Sequence, residues 1–123
     1  MLSYNKKEGV FMAIQNANYS NLNYEEMAKL IGLKPKHMPM LIGSFLEESV
    51  SILKNLEDAI NTQDFSAIKT NAHSIKGSAG NLKFTEIYEM AKEMELSAGD
   101  SNADLDYSTY LQAITSAIDT IPR

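Results

Sequence analysis

Residues 72–82, Ala72-His73-Ser74-Ile75-Lys76-Gly77-Ser78-Ala79-Gly80-Asn81-Leu82, decide how this chain is read. They lie in a run whose apolar residues Phe65, Ile68, Ala72, Ile75, Ala79 and Leu82 recur at three-, four- and seven-residue-type helical spacing. At about 100° per residue, those positions form one stripe of an α-helix. On the same wheel His73 projects roughly 130° from the centre of the stripe, so its imidazole is expected in water. Lys76 follows one turn on, at the edge of the apolar face, and Gly77 and Gly80 are expected beside His73 on the exposed side. A glycine inside a helix costs about 1 kcal/mol relative to alanine. Two of them beside one exposed imidazole indicate a surface kept bare so that another molecule can approach.

The flanking sequence predicts more helices of the same kind. A helix over about 64–82 carries the quoted stretch, with Thr62 or Asp64 as its N-cap. Before it, a long helix is expected from about Lys36 to Ile60, with Met38, Leu41, Ile42, Phe45, Leu46, Ile52, Leu53, Leu56, Ala59 and Ile60 inward and Ser49 filling the gap. Pro39 falls in its first turn, where a missing N–H is harmless. Gly43 also lies in this helix, where close approach to a neighbour would account for it. Further back, two short helices are expected. One spans 5–17, with Val10, Phe11 and Ile14 inward. The other starts at the cap Asn23, turns Tyr24, Met27, Ala28, Leu30 and Ile31 inward, and stops at Gly32.

After the quoted stretch, Lys83 and Phe84 make a very short link to a helix beginning at Thr85, with Ile87, Met90, Ala91, Met94 and Ala98 on one face and Gly99 closing it. Asp104 then caps a last helix that turns Tyr107, Tyr110, Leu111, Ile114, Ala117, Ile118 and Ile121 inward. Short links between amphipathic helices place sequential helices side by side in opposite directions. The expected fold is therefore all-α, one domain over residues 1–123. An antiparallel up-down four-helix bundle spans 36–121, and one or two short helices within 1–35 cover one end.

Bulk composition narrows the function. A chain of 123 residues buries roughly two-thirds of its unfolded surface, so its core needs no staples. It has no cysteine, which removes disulfides and thiolate metal sites. His37 and His73 lie far apart and make a poor metal pair, so no metal is expected. The net charge of −5 argues against nucleic acid, which demands a basic face. No apolar run reaches the length of a membrane span, and the first residues lack the apolar core of a signal peptide. A cytoplasmic monomer is expected.

His73 carries the chemistry. Neutral imidazole is a nucleophile at cytoplasmic pH and can hold a phosphoryl group on nitrogen. Such transfer demands in-line access, positioning and charge neutralisation, and Lys76 can supply charge to the phosphoryl oxygens. No Walker loop, GxGxxG or kinase-like ATP site exists. The chain thus reads as a phosphocarrier more than a catalyst. It has no cofactor of its own, and the aspartates and Mg²⁺ of phosphoryl transfer are expected on a partner. Other uses are weighed alongside. The Met90–Met94 pair reads as core filling and the acidic residues of the long helix as solvated, and the alternative for any of Ile42, Phe45 or Leu46 that is exposed near His73 is a docking patch. A general-base enzyme using His73 would require a pocket that a convex helix face does not offer.

Residues 72–82 resemble the signature of histidine-containing phosphotransfer (HPt) domains: alanine, histidine, any residue, an aliphatic, lysine, glycine, then small residues with a second glycine. Phe45-Leu46-Glu47-Glu48-Ser49 and Ala91-Lys92-Glu93-Met94-Glu95 are similar to the helices before and after, so the resemblance runs from about 36 to 119. One departure is Lys83, where many members carry glycine. The resemblance implies that His73 is the phosphoacceptor and Lys76 its electrostatic helper. Gly77 and Gly80, with Lys69 and Ser74 on the same side, would contact the partner. The implied partners are response-regulator receiver domains and a hybrid sensor histidine kinase in a two-component phosphorelay. The alternative is a helical interaction module that binds a signalling partner without carrying phosphate.

Overall fold

The computed structural model describes residues 14–123. Among them are five α-helices, a short 3₁₀ turn and no strand. The helices are α1 (Tyr24–Ile31), α2 (Met38–Asn61), α3 (Phe65–Asn81), α4 (Thr85–Gly99) and α5 (Tyr107–Asp119), with the 3₁₀ turn Pro35–His37 leading into α2. Along the chain α2 packs on α3, α3 on α4 and α4 on α5, and α5 returns to α2. The smaller α1 sits against the 3₁₀ turn and α2.

Local chemistry explains most of the boundaries. Asn23 accepts a hydrogen bond from the Glu26 amide and starts α1, and Gly32 ends it in the left-handed conformation. Asp64 accepts from the Ala67 amide and starts α3. Thr62 instead closes α2, its hydroxyl donating to the Asp58 carbonyl at 3.0 Å. One expected boundary is corrected. The cap of α5 is Asp106, which accepts from the Thr109 amide, and Asp104 stays in the preceding turn. The helix begun at Thr85 closes at Gly99 as expected, and the positive φ (53°) beyond it falls on Ser101. In the expected first helix, residues 14–17 are not helical, and residues 5–13 lie outside the described residues.

α2, α3 and α4 end alike. The amide two residues beyond each helix's C-cap reaches back to a carbonyl in the last turn: Asp64 to Ala59, Phe84 to Ala79 and Asn102 to Ser97. The residue before each of these, Gln63, Lys83 or Ser101, has positive φ. This is the Schellman arrangement, which satisfies carbonyls that the helix leaves unpaired. It gives Lys83, the departure from the resembled pattern, a left-handed backbone at φ 63°.

The core is one cluster drawn from all five helices. Leu56, Ile68, Ile75, Ile87, Met90, Met94 and Ile114 are fully buried. Each such side chain stabilises the fold by about 1.5–3 kcal/mol relative to an exposed one. Ser49 fills its gap in the stripe of α2 by donating its hydroxyl to the Leu46 carbonyl at 2.9 Å. Phe84, in the link, lies between the rings of Tyr19 (4.6 Å) and Phe45 (5.3 Å). Tyr19 also ties the segment before α1 to the C-cap of α5 and to α4, through its amide to Thr120 and its hydroxyl to Glu86, both at 2.7 Å. Leu30, expected inward, is exposed: α1 buries only Met27 and Ala28. An eight-residue helix has room for one narrow contact stripe.

Candidate functional site around His73

The seam between α3 and α4 is registered by three contacts. The position of a side chain on Gly80 is occupied by the Tyr88 ring, 3.1 Å away. One face of each helix repeats about every seven residues, close to two turns. Moving back seven residues on α3 and forward seven on α4 therefore meets the next facing pair, His73 and Glu95, whose Nδ1 and Oε2 are 2.8 Å apart. A further turn along, the Lys69 stem lies against Gly99 at 3.7 Å. The short link Lys83–Phe84 fixes this register, because a tight hairpin pairs residues equally far from its turn.

Glu95 holds two groups at once. Its Oε1 accepts from the Lys76 ammonium at 2.7 Å while Oε2 meets His73. The Lys76 ammonium, and after it the His73 hydrogen bond, hold the Glu95 carboxyl below the usual glutamate range against the opposing effect of burial. Glu95 in turn raises Lys76 above the usual lysine range. An ionised carboxylate can only accept, so the proton between Glu95 and the ring sits on Nδ1. In the neutral ring the free lone pair is then on Nε2. No described residue bonds Nε2, and the His73 side chain is 68% exposed, against 23% for Lys76 and 15% for Glu95.

On the other flank of α3 the surface opens. A shallow depression of about 510 Å³ is lined by Glu48 and Ile52 of α2 and by His73, Ser74, Gly77, Ser78 and Asn81 of α3. The Ser78 hydroxyl donates to Glu48 at 2.8 Å and joins the two helices at its floor. A side chain at Gly77 would meet nothing within 4 Å. Gly43 is also open and exposed, so no neighbour within the described residues explains it.

The sequence-predicted residues thus divide. His73, Lys76, Ser74 and Gly77 stand together around the imidazole, and Lys69 lies one turn away with its stem on Gly99. Gly80 does not share the exposed face. It faces α4, where the missing side chain lets Tyr88 pack close. Ile42 and Phe45 are buried and so unavailable for docking, and Leu46 is partly buried against the core. Glu95 was not singled out from the sequence, although His73 and Glu95 stand equally far from Phe84 in a hairpin. Among the described residues no group of three or more His, Cys, Asp or Glu is arranged to hold a metal.

The family model described as Hpt domain matches residues 40–121, which include α3, α4, α5 and most of α2. The chain belongs to the Hpt domain family. No curated protein and no solved structure matched it. The match contains His73, Lys76, Glu95 and the whole depression. No helix among the described residues is long and apolar enough to cross a membrane.

Proposed function

We propose that this Hpt domain is a phosphohistidine carrier in a two-component phosphorelay. A receiver domain docks over the depression beside Gly77, and Nε2 of His73 attacks the phosphorus of its aspartyl phosphate. The O–P bond breaks toward the receiver carboxylate, and the reverse step delivers the group to a second receiver. Lys76 offsets charge on the phosphoryl oxygens, while Lys69, Ser74 and Gly77 contact the partner. Gly80 contributes through the α3–α4 seam in place of direct contact. Mg²⁺ and the aspartates belong to the receiver, and a hybrid sensor kinase is the upstream source. The ring of helix contacts supports an antiparallel up-down four-helix bundle, and we take the protein to be a cytoplasmic monomer.

The observation that carries this reading is the exposed His73 ring whose Nδ1 is tied to Glu95, which leaves Nε2 as the available nucleophile. The test is transfer of labelled phosphate from a phosphorylated receiver. Wild type is expected to take the label, Lys76→Ala to take it more slowly and His73→Gln not at all. Undiminished labelling of the glutamine variant would end the proposal. Binding of receivers without any labelling would point to the interaction-module alternative.

A further inference from the structure

The shared carboxylate does more than orient a ring. At rest, Glu95 sits between the Lys76 ammonium and the Nδ1–H of neutral His73. The arrival of a phosphoryl group changes this balance. When Nε2 bonds phosphorus and Nδ1 keeps its proton, the ring carries a formal positive charge beside a dianionic phosphoryl group. The local charges then fall into two opposed pairs, phosphoryl with Lys76 and imidazolium with Glu95.

The geometry points to Glu95 as a positioning residue that keeps the Nδ1 proton on phosphorylated His73, so that the ring departs as neutral imidazole when the phosphoryl group moves on. This rests on the carrier reading above. In the onward step an incoming oxygen bonds phosphorus and the N–P electron pair returns to Nε2. With Nδ1 protonated, that pair leaves on a neutral ring. Without the proton it would leave on an imidazolate, a far poorer leaving group. An ionised carboxylate 2.8 Å from Nδ1 favours the protonated ring electrostatically.

The other charged groups around the ring act in known directions. Lys76, bound to the same carboxylate, opposes the ring's positive charge. Lys69 and Lys92 stand one turn along α3 and α4 from the pair and oppose it more weakly. Glu48 of α2 favours it from across the depression. Only Glu95 touches Nδ1 among the described residues. Glutamine at position 95 preserves an acceptor and removes the charge, so a variant of nearly the same shape isolates the electrostatic part.

The experiment loads wild type, Glu95→Gln and Lys76→Met with phosphoramidate, a small donor that requires no receiver. Loss of phosphohistidine to water is then followed against pH, with ¹⁵N NMR of His73 reporting the Nδ1 proton. In wild type, fast loss and the Nδ1 proton should persist to higher pH. In Glu95→Gln both profiles should move down by about one pH unit, making loss about tenfold slower on the falling limb. In Lys76→Met, with the competing cation gone, they should move up. Profiles of Glu95→Gln that superimpose on wild type would overturn the role of Glu95 and leave the carrier reading standing. Failure of phosphoramidate and a phosphorylated receiver alike to label His73 would overturn both.

Discussion

The two flanks of α3 are built on opposite plans. Toward α4 the helix is closed: the Tyr88 ring fills the place of a side chain on Gly80, Glu95 clasps both His73 and Lys76, and the Lys69 stem lies on Gly99. Toward α2 it is open, with Gly77 facing empty space beside the His73 ring. Two glycines one turn apart thus serve different ends. One brings a neighbouring helix close to α3, and the other leaves open the surface on which we propose that a receiver docks. A glycine in a helix says that space is wanted, but not by whom.

The sharpest way to break this contrast is to fill each space in turn. Gly77→Leu places a side chain in the open depression without disturbing the core. Transfer from a phosphorylated receiver should fall at least about tenfold, equivalent to about 1.4 kcal/mol at the docked complex, while phosphoramidate labelling of His73 persists. Equal loss with both donors would mean that the substitution damages the histidine itself and that the open flank is no docking face.

Gly80→Leu should act through the fold. Its side chain meets the Tyr88 ring, and overpacking of this kind costs about 1–3 kcal/mol. The denaturation midpoint should therefore fall, and transfer from both donors should weaken as Glu95 is pushed away from His73. An unchanged midpoint would show that the α3–α4 seam has slack and does not set the register.

The smallest effect compares alanine at the two positions. Gly77→Ala should raise stability by about 1 kcal/mol, the helix-propensity difference between the residues. At Gly80 the same gain is offset by the 3.1 Å approach of Tyr88, so Gly80→Ala should fall short of it in the same unfolding titration. Equal gains would erase the distinction between the flanks.

The helical stripes, the caps Asn23 and Asp64 and the exposure of His73 could be read directly, because helical periodicity and capping are local in the chain. What escaped reading is set by neighbours. His73 meets Glu95 only through the register of two helices, and Gly80 was placed with Gly77 because a wheel for one helix does not show which side a second helix covers. Asp106 caps α5 in place of Asp104 because its carboxylate is the one that reaches the Thr109 amide, and the positive φ beyond α4 falls on Ser101 because a Schellman turn accepts a non-glycine residue when its hydrogen bonds hold it. Lys83 shows the same, since the position that departs from the resembled pattern still adopts the left-handed conformation, at φ 63°.

The atom that takes the phosphoryl group decides whether His73 is the carrier. Protein labelled with ¹⁵N-histidine and charged by a phosphorylated receiver can be examined by ³¹P and ¹⁵N NMR. The arrangement at Glu95 predicts a single phosphorus–nitrogen bond at Nε2 of His73. A phosphoryl group on Nδ1, on His37 or on no histidine at all would contradict it.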